Sequence, residues 1–175
     1  MNMPKLQPFA IQTQNFPFYS KLWKLLFRKR QWQVIEDWHY VLPNKREVII
    51  PKGFVFDGSS YPAIVWLFFS PTGLLLVPVL LHDFCFRYNY LWAKQDEKIF
   101  KFKSGGGFFY WSRLIREVGI ERNELVIIDY IIWVLSVIFG WVNWMTFQRK
   151  EKIELTPYIQ KESEALTKNL HCSHT

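Results

Sequence analysis

Cysteine is scarce in this sequence: Cys85 and Cys172 are the only two, far apart, with no CxxC or Cys/His ligand spacing around them. Neither a disulfide framework nor a structural zinc site is therefore indicated as the source of order. Cys85 reads as a small core residue and Cys172 as part of a polar tail. Glycine is also sparse, at eight residues, three of them consecutive at 105–107. That run lacks both a following Lys-Ser/Thr and the GxGxxG spacing, so it reads as a hinge or loop and not as a phosphate cradle. The first eighteen residues, MNMPKLQPFAIQTQNFPF, lack an uninterrupted apolar run and a small-residue cleavage site. No signal peptide is expected there, and a cytoplasmic location follows as the default.

Hydrophobic residues are plentiful. They make up half of the 175 residues, enough for one domain to form a core without covalent staples. The formal charge of +7 is compatible with nucleic acid, anionic lipid or simple solubility. Nine Trp, eight Tyr and sixteen Phe accompany that charge and shift the expectation toward anionic membrane lipid, because amphipathic rings collect at membrane interfaces. No strand of exposed aromatics alternating with basic residues is evident, so nucleic acid is set aside. Protein partners are left unspecified.

The chain divides at the sequence level into an N-terminal arm with a basic helix over 1–31, a core domain over 32–148 and a polar tail over 149–175. Three prolines mark residues 1–18 as irregular. Residues 19–30, YSKLWKLLFRKR, have helical spacing, with Lys21, Lys24 and Arg28 on one side and Leu22, Leu25 and Leu26 on another. The segment reads equally as a membrane-surface helix or as one that packs its leucines on the domain. Residues 32–42 and 47–56 read as two strands joined by Pro43-Asn44-Lys45, a β-hairpin. FDGSSYP follows, a loop in which Gly58, Ser60 and Pro62 favour a fixed local geometry.

Residues 64–81 are strongly apolar but are cut by Ser-Pro-Thr-Gly at 70–73 into pieces too short for a membrane span. A buried helix is expected from about residue 74 through HDFCFRY, with a break near Asn89, and AKQDEKIFKF is expected to begin another helix. A short helix follows over 111–119. Residues 125–147 are the most hydrophobic stretch, long enough to span a bilayer and flanked by Arg149, Lys150 and Lys152. Asp129 and Asn143 weigh against a span, and a buried core helix is the favoured reading. The tail ends in HCSHT, where His171 and His174 suit only weak metal binding, and a disordered terminus is expected. The fold expected is α+β, with an N-terminal β-hairpin packed on a small apolar helical bundle.

The chemistry-bearing residues centre on the adjacent pair His82 and Asp83. Successive helical side chains leave the axis about 100° apart, so the two can serve different partners. His82 suits a general base acting on water, and Asp83 suits a hard cation, calcium or magnesium. Asp57, in its glycine-containing loop, is the expected second cation ligand. A histidine base needs an acceptor for its far ring nitrogen. Asp96 can supply one if the chain reverses near Asn89 into a helical hairpin, and Asp129 on the later apolar helix is the rival. The alternative reading is structural, with Asp57 capping a turn and His82 and Asp83 bonding backbone at a helix junction.

The runs VIIPKGFVFDGSSYP, LLHDFCFRYNY and DEKIF resemble a phage- and prophage-associated family of unknown function, over about residues 32–141. Pro51, Gly53, Phe54, Asp57, Ser60, Pro62, His82, Asp83 and Asp96 carry the pattern. The resemblance implies a viral or prophage setting, hence the cytoplasmic side of a host cell, and implies no activity. HDFCFRYNY is also similar to the His-Asp helix signature of phospholipases A2. That similarity implies His82 as base, Asp83 and Asp57 as calcium ligands, and Asp96 or Asp129 as the residue orienting His82. The disulfides and glycine-rich calcium loop of those enzymes are lacking.

These readings lead to two functional expectations. The first is a metal-assisted ester hydrolase acting near membranes. The second is a non-catalytic phage accessory, or a membrane-associated interaction protein, in which the polar cluster only holds a loop.

Overall fold

The computed structural model describes residues 3–9, 17, 19, 31–56, 75–96, 98–149 and 153–158. The helix expected over 19–30 and the loop bearing Asp57, Gly58, Ser60 and Pro62 lie outside the described residues, as do His171, Cys172 and His174.

The fold is α+β, and the described residues form two antiparallel sheets and three helices. A three-stranded sheet has the order β1-β2-β5, formed by Leu6–Pro8, Trp32–Val34 and Val55–Phe56. A four-stranded sheet has the order β3-β4-β6-β7, formed by Trp38–Val41, Glu47–Ile50, Leu91–Gln95 and Lys98–Phe102. The hairpin across Pro43-Asn44-Lys45 is present as β3 and β4, with Tyr40 opposite Val48. Each strand expected there as continuous is instead split between the sheets. Gly53, at φ +89°, turns the chain between β4 and β5, and β2 pairs with β5 while β3 pairs with β4. β1 adds an edge to β2, so part of the expected irregular arm is ordered by strand pairing.

The segment expected as a helix beyond Asn89 is the β6–β7 hairpin. Its Ile99, Phe100 and Phe102 are β-branched or aromatic and suit a strand, and β4 offers a free edge on which Trp92 pairs opposite Ile49. Tertiary pairing thus overrides the helical propensity of Ala, Lys, Gln and Glu.

The helices are α1 (Leu76–Tyr88), α2 (Phe108–Asn123) and α3 (Val126–Arg149). α1 is buried from Leu76 to Phe86 and touches β5 and β6, one strand of each sheet. Pro78 is tolerated because it falls in the first turn, where its missing N–H would have no intrahelical partner. Asn89, at φ 58°, ends α1 in the left-handed conformation. Phe84 of α1 packs edge-on against Phe54, the residue just before β5, at 5.0 Å. α2 buries Phe108, Trp111, Ile115 and Val118, the stripe expected of a helix packed on one face.

α3 departs from the favoured reading of a core helix. Five of its 24 residues are buried, Asp129, Ile132, Ser136, Gly140 and Trp144. They form a single stripe, and the opposite half of the helix is apolar and exposed. Part of the C-terminal tail is also docked. Residues 153–158 are held on the four-stranded sheet by Trp92 Nε1–H to the Leu155 carbonyl at 2.8 Å and the Lys101–Glu154 ion pair, and on the end of α1 by Tyr88 O–H to the Ile153 carbonyl at 3.1 Å.

Candidate functional site

His82 and Asp83 sit in the middle of α1, where the helix is apolar on nearly every side. His82 is 0 % exposed and Asp83 is 3 % exposed. His82 Nδ1 lies 3.5 Å from Asp83 Oδ1, at the outer limit of a hydrogen bond, and the imidazole packs on Phe86 with ring centroids 3.7 Å apart. The pair is therefore part of the packed interior.

Asp96 is not brought to His82. The chain does reverse after Asn89, but the returning element is a strand. Asp96 occupies the exposed tip of the β6–β7 hairpin, at φ 54°. Levelling it with His82 required a helix there.

Asp129 is also held elsewhere. Pro78 and Val79 of α1 meet Ile132 and Ser136 of α3, and Phe86 meets Gly140 and Trp144, so α1 and α3 run in the same direction. His82 is then level with Ser136. Asp129 lies seven residues earlier, roughly 10 Å along the axis. The buried carboxylate does have the partner that its apolar surroundings demand, and that partner is Asn123, whose Nδ2–H donates to Oδ1 at 3.2 Å. The close α2–α3 turn depends on Gly119, because a Cβ there would sit 2.5 Å from Asp129 Oδ1. Burial raises the Asp129 pKa, and the Asn123 hydrogen bond opposes part of that rise.

For a cation, the expected ligands were Asp83 and Asp57. Among the described residues no group of three or more His, Cys, Asp or Glu side chains converges, and Asp57 is not among them. Asp83 alone is far short of the six to eight oxygens, roughly, that calcium takes. The described residues by themselves do not fit calcium or magnesium.

The sequence reading missed a second polar locus. A cleft between the three helices is lined by Pro78 and Val79 of α1, Ile115 and Arg116 of α2, and Asp129 and Trp133 of α3. The Arg116 guanidinium lies over two rings of α3, 4.8 Å from the Tyr130 centroid and 4.9 Å from that of Trp133. Arg116 Nε, Trp133 Nε1 and Asp129 Oδ2 are buried, with no hydrogen-bond partner among the described residues. The available signal was a Trp with a polar edge one turn after a buried Asp. The arginine that meets them comes from a separate helix, which spacing does not reveal.

The family described as "Protein of unknown function (DUF1353)" matches residues 32–124, more than half of the chain. The chain belongs to that family. The DUF1353 segment runs from β2 to the end of α2 and includes His82, Asp83, Asp96 and Arg116. It ends at the turn before α3, short of the 32–141 over which the resemblance was expected to extend. The exposed apolar helix lies wholly beyond the match. No match was found to a curated protein or to a solved structure.

Proposed function

We propose that this protein docks on the surface of an anionic membrane, with α3 lying in the plane of the interface. The observation that carries this reading is the outer half of α3. Ile127, Ile138 and Val142 are 77 %, 61 % and 68 % exposed, and Tyr130, Val134 and Trp141 share the same half. That apolar half runs from Ile127 to Met145, about 27 Å of helix before the exposed Thr146 and Arg149, and is more than a soluble surface normally leaves in water.

α3 is long and apolar enough to cross a bilayer. Its packing favours lying flat. It is fastened along its length to α1 and α2, by Asp129 beside Gly119 at one end and Gln148 Nε2–H to the Phe86 carbonyl at the other. α2 carries the exposed Arg113–Glu117 ion pair and the exposed Glu121. Taking α3 through the bilayer would carry those charges into hydrocarbon, at about 2.5–3.5 kcal/mol for each Arg or Asp by insertion scales. An in-plane position keeps them in water and buries the apolar half in the headgroup and acyl boundary. The charge of +7 favours an anionic leaflet. In the phage or prophage setting implied by the resemblance, that leaflet is the cytoplasmic face of the host membrane.

His82 and Asp83 fit this reading as structural residues. A general base must reach water and substrate, and a fully buried imidazole packed against Phe86 supports packing more than proton transfer.

Sedimentation with vesicles tests the proposal. Wild-type protein pellets with phosphatidylglycerol-containing vesicles, and the triple substitution Ile127→Ser, Ile138→Ser, Val142→Ser releases it while leaving the far-ultraviolet circular dichroism intact. Wild-type protein that remains in the supernatant overturns the reading. So does a lipid-free dimer that the triple substitution dissociates, because the face would then be taken by a second copy.

A further inference from the structure

We propose that the cleft between α1, α2 and α3 is a phospholipid headgroup site, in which Arg116 Nε–H and Trp133 Nε1–H receive one phosphate oxygen of an anionic lipid. The proposal rests on the membrane-surface reading and names the polar contact that accompanies it.

Arg116 Nε and Trp133 Nε1 are buried donors on two residues that line one cleft, and neither meets an acceptor among the described residues, so an oxygen entering the cleft would satisfy both. One of them belongs to a guanidinium, the side chain best matched to phosphate. Stacking on Tyr130 and Trp133 holds that guanidinium in place before any ligand arrives. The empty volume is about 290 Å3 out to the mouth, but the enclosed part has room for only about one water-sized atom. One phosphate oxygen fits there, and the rest of the headgroup stays at the mouth.

Arg116 also borders the apolar half of α3. Tyr130, one of the two rings beneath Arg116, is 44 % exposed on the flank of the apolar half of α3. A lipid whose acyl chains lie along α3 therefore brings its phosphate to Arg116. Asp129, 3 % exposed, completes the lining with Oδ2 as its open atom. Burial raises the pKa of this carboxyl, and the Asn123 hydrogen bond opposes part of the rise.

The experiment uses the full chain labelled with 15N and dihexanoyl-phosphatidylglycerol below its micelle-forming concentration. The expected result is a downfield shift of the Trp133 indole and Arg116 Nε–H resonances, assigned with Trp133→Phe and Arg116→Lys. On phosphatidylglycerol vesicles Arg116→Gln lowers partitioning about tenfold. Arg113→Gln, which removes the same charge from the exposed face of the same helix, lowers it much less. If wild-type protein binds vesicles but the two variants lose equally, the site fails while the membrane reading stands. If neither resonance moves, the cleft holds an ordered water only. Free inorganic phosphate shifting both resonances as strongly as the lipid also overturns the proposal, because the source is then not a membrane. Wild-type protein that ignores vesicles altogether sinks the membrane reading itself.

Discussion

Asn89 and Trp111 are joined by a 2.8 Å hydrogen bond from the indole Nε1–H to the amide Oδ1, which also accepts from the Gly107 N–H at 3.0 Å. One side chain at the end of α1 thereby fixes the start of α2. Trp111 is 0 % exposed, so its indole has no water to fall back on. Asn89→Ala leaves that donor and the Gly107 N–H unpaired and replaces a residue that tolerates φ 58°. The expected loss is about 2–4 kcal/mol, measured by urea denaturation. Asn89→Gly, which relieves only the backbone, recovers a minor part of it.

Gly119 faces Asp129 across the α2–α3 turn with no room for a methyl group. Gly119→Ala gains helix propensity but pushes against a buried carboxylate on a closely packed helix. The steric effect dominates, and a net destabilisation of about 1–3 kcal/mol is expected. Thermal unfolding of the two proteins side by side measures it. A variant as stable as wild type would show that the Asp129 carboxylate swings aside to make room for the methyl group.

Asp129 has its pKa raised in the folded protein by burial. The folded state therefore holds the proton more tightly than the unfolded state. The stability linked to Asp129 is present below the unfolded carboxylate value of about 4 and is lost as pH rises through the higher folded value. Asp129→Asn keeps an acceptor for Asn123 and removes the titration. Urea midpoints measured from pH 4 to pH 7, both roughly spanning that window, are expected to show the variant gaining on wild type as pH rises. A constant difference across the window would mean that Asp129 does not titrate differently on folding.

His82→Ala removes a fully buried ring from beside Phe86, and a loss of about 2–4 kcal/mol follows from the space left behind. Vesicle binding below the unfolding transition is expected to stay at the wild-type level. Fatty-acid release from phosphatidylglycerol vesicles is expected to match the protein-free control for both proteins, with and without calcium. Calcium-dependent release by wild type that disappears in the variant would make His82 catalytic and return the hydrolase reading to first place.

Much of the architecture was legible from residue patterns. The apolar run through LLHDFCFRY, the stop at Asn89 and the turn at Pro43-Asn44-Lys45 each rest on local chemistry, and each appears where that chemistry puts it. The hairpin of β6 and β7 was misread because Ala93-Lys94-Gln95 favours a helix locally, while the edge of β4 that makes it a strand lies over forty residues earlier in the chain. The same limit applies to the site. The sequence by itself determined that His82 and Asp83 share one apolar helix and that Asp129 needs a polar partner, since burial and helical geometry follow from nearby residues. Only the tertiary structure decided that Asn123 is that partner, that Asp96 ends on an exposed turn, and that Arg116 meets Tyr130 and Trp133. It also decided which half of α3 is left facing outward, because hydrophobicity states how much a side chain gains by leaving water and not which neighbour covers it.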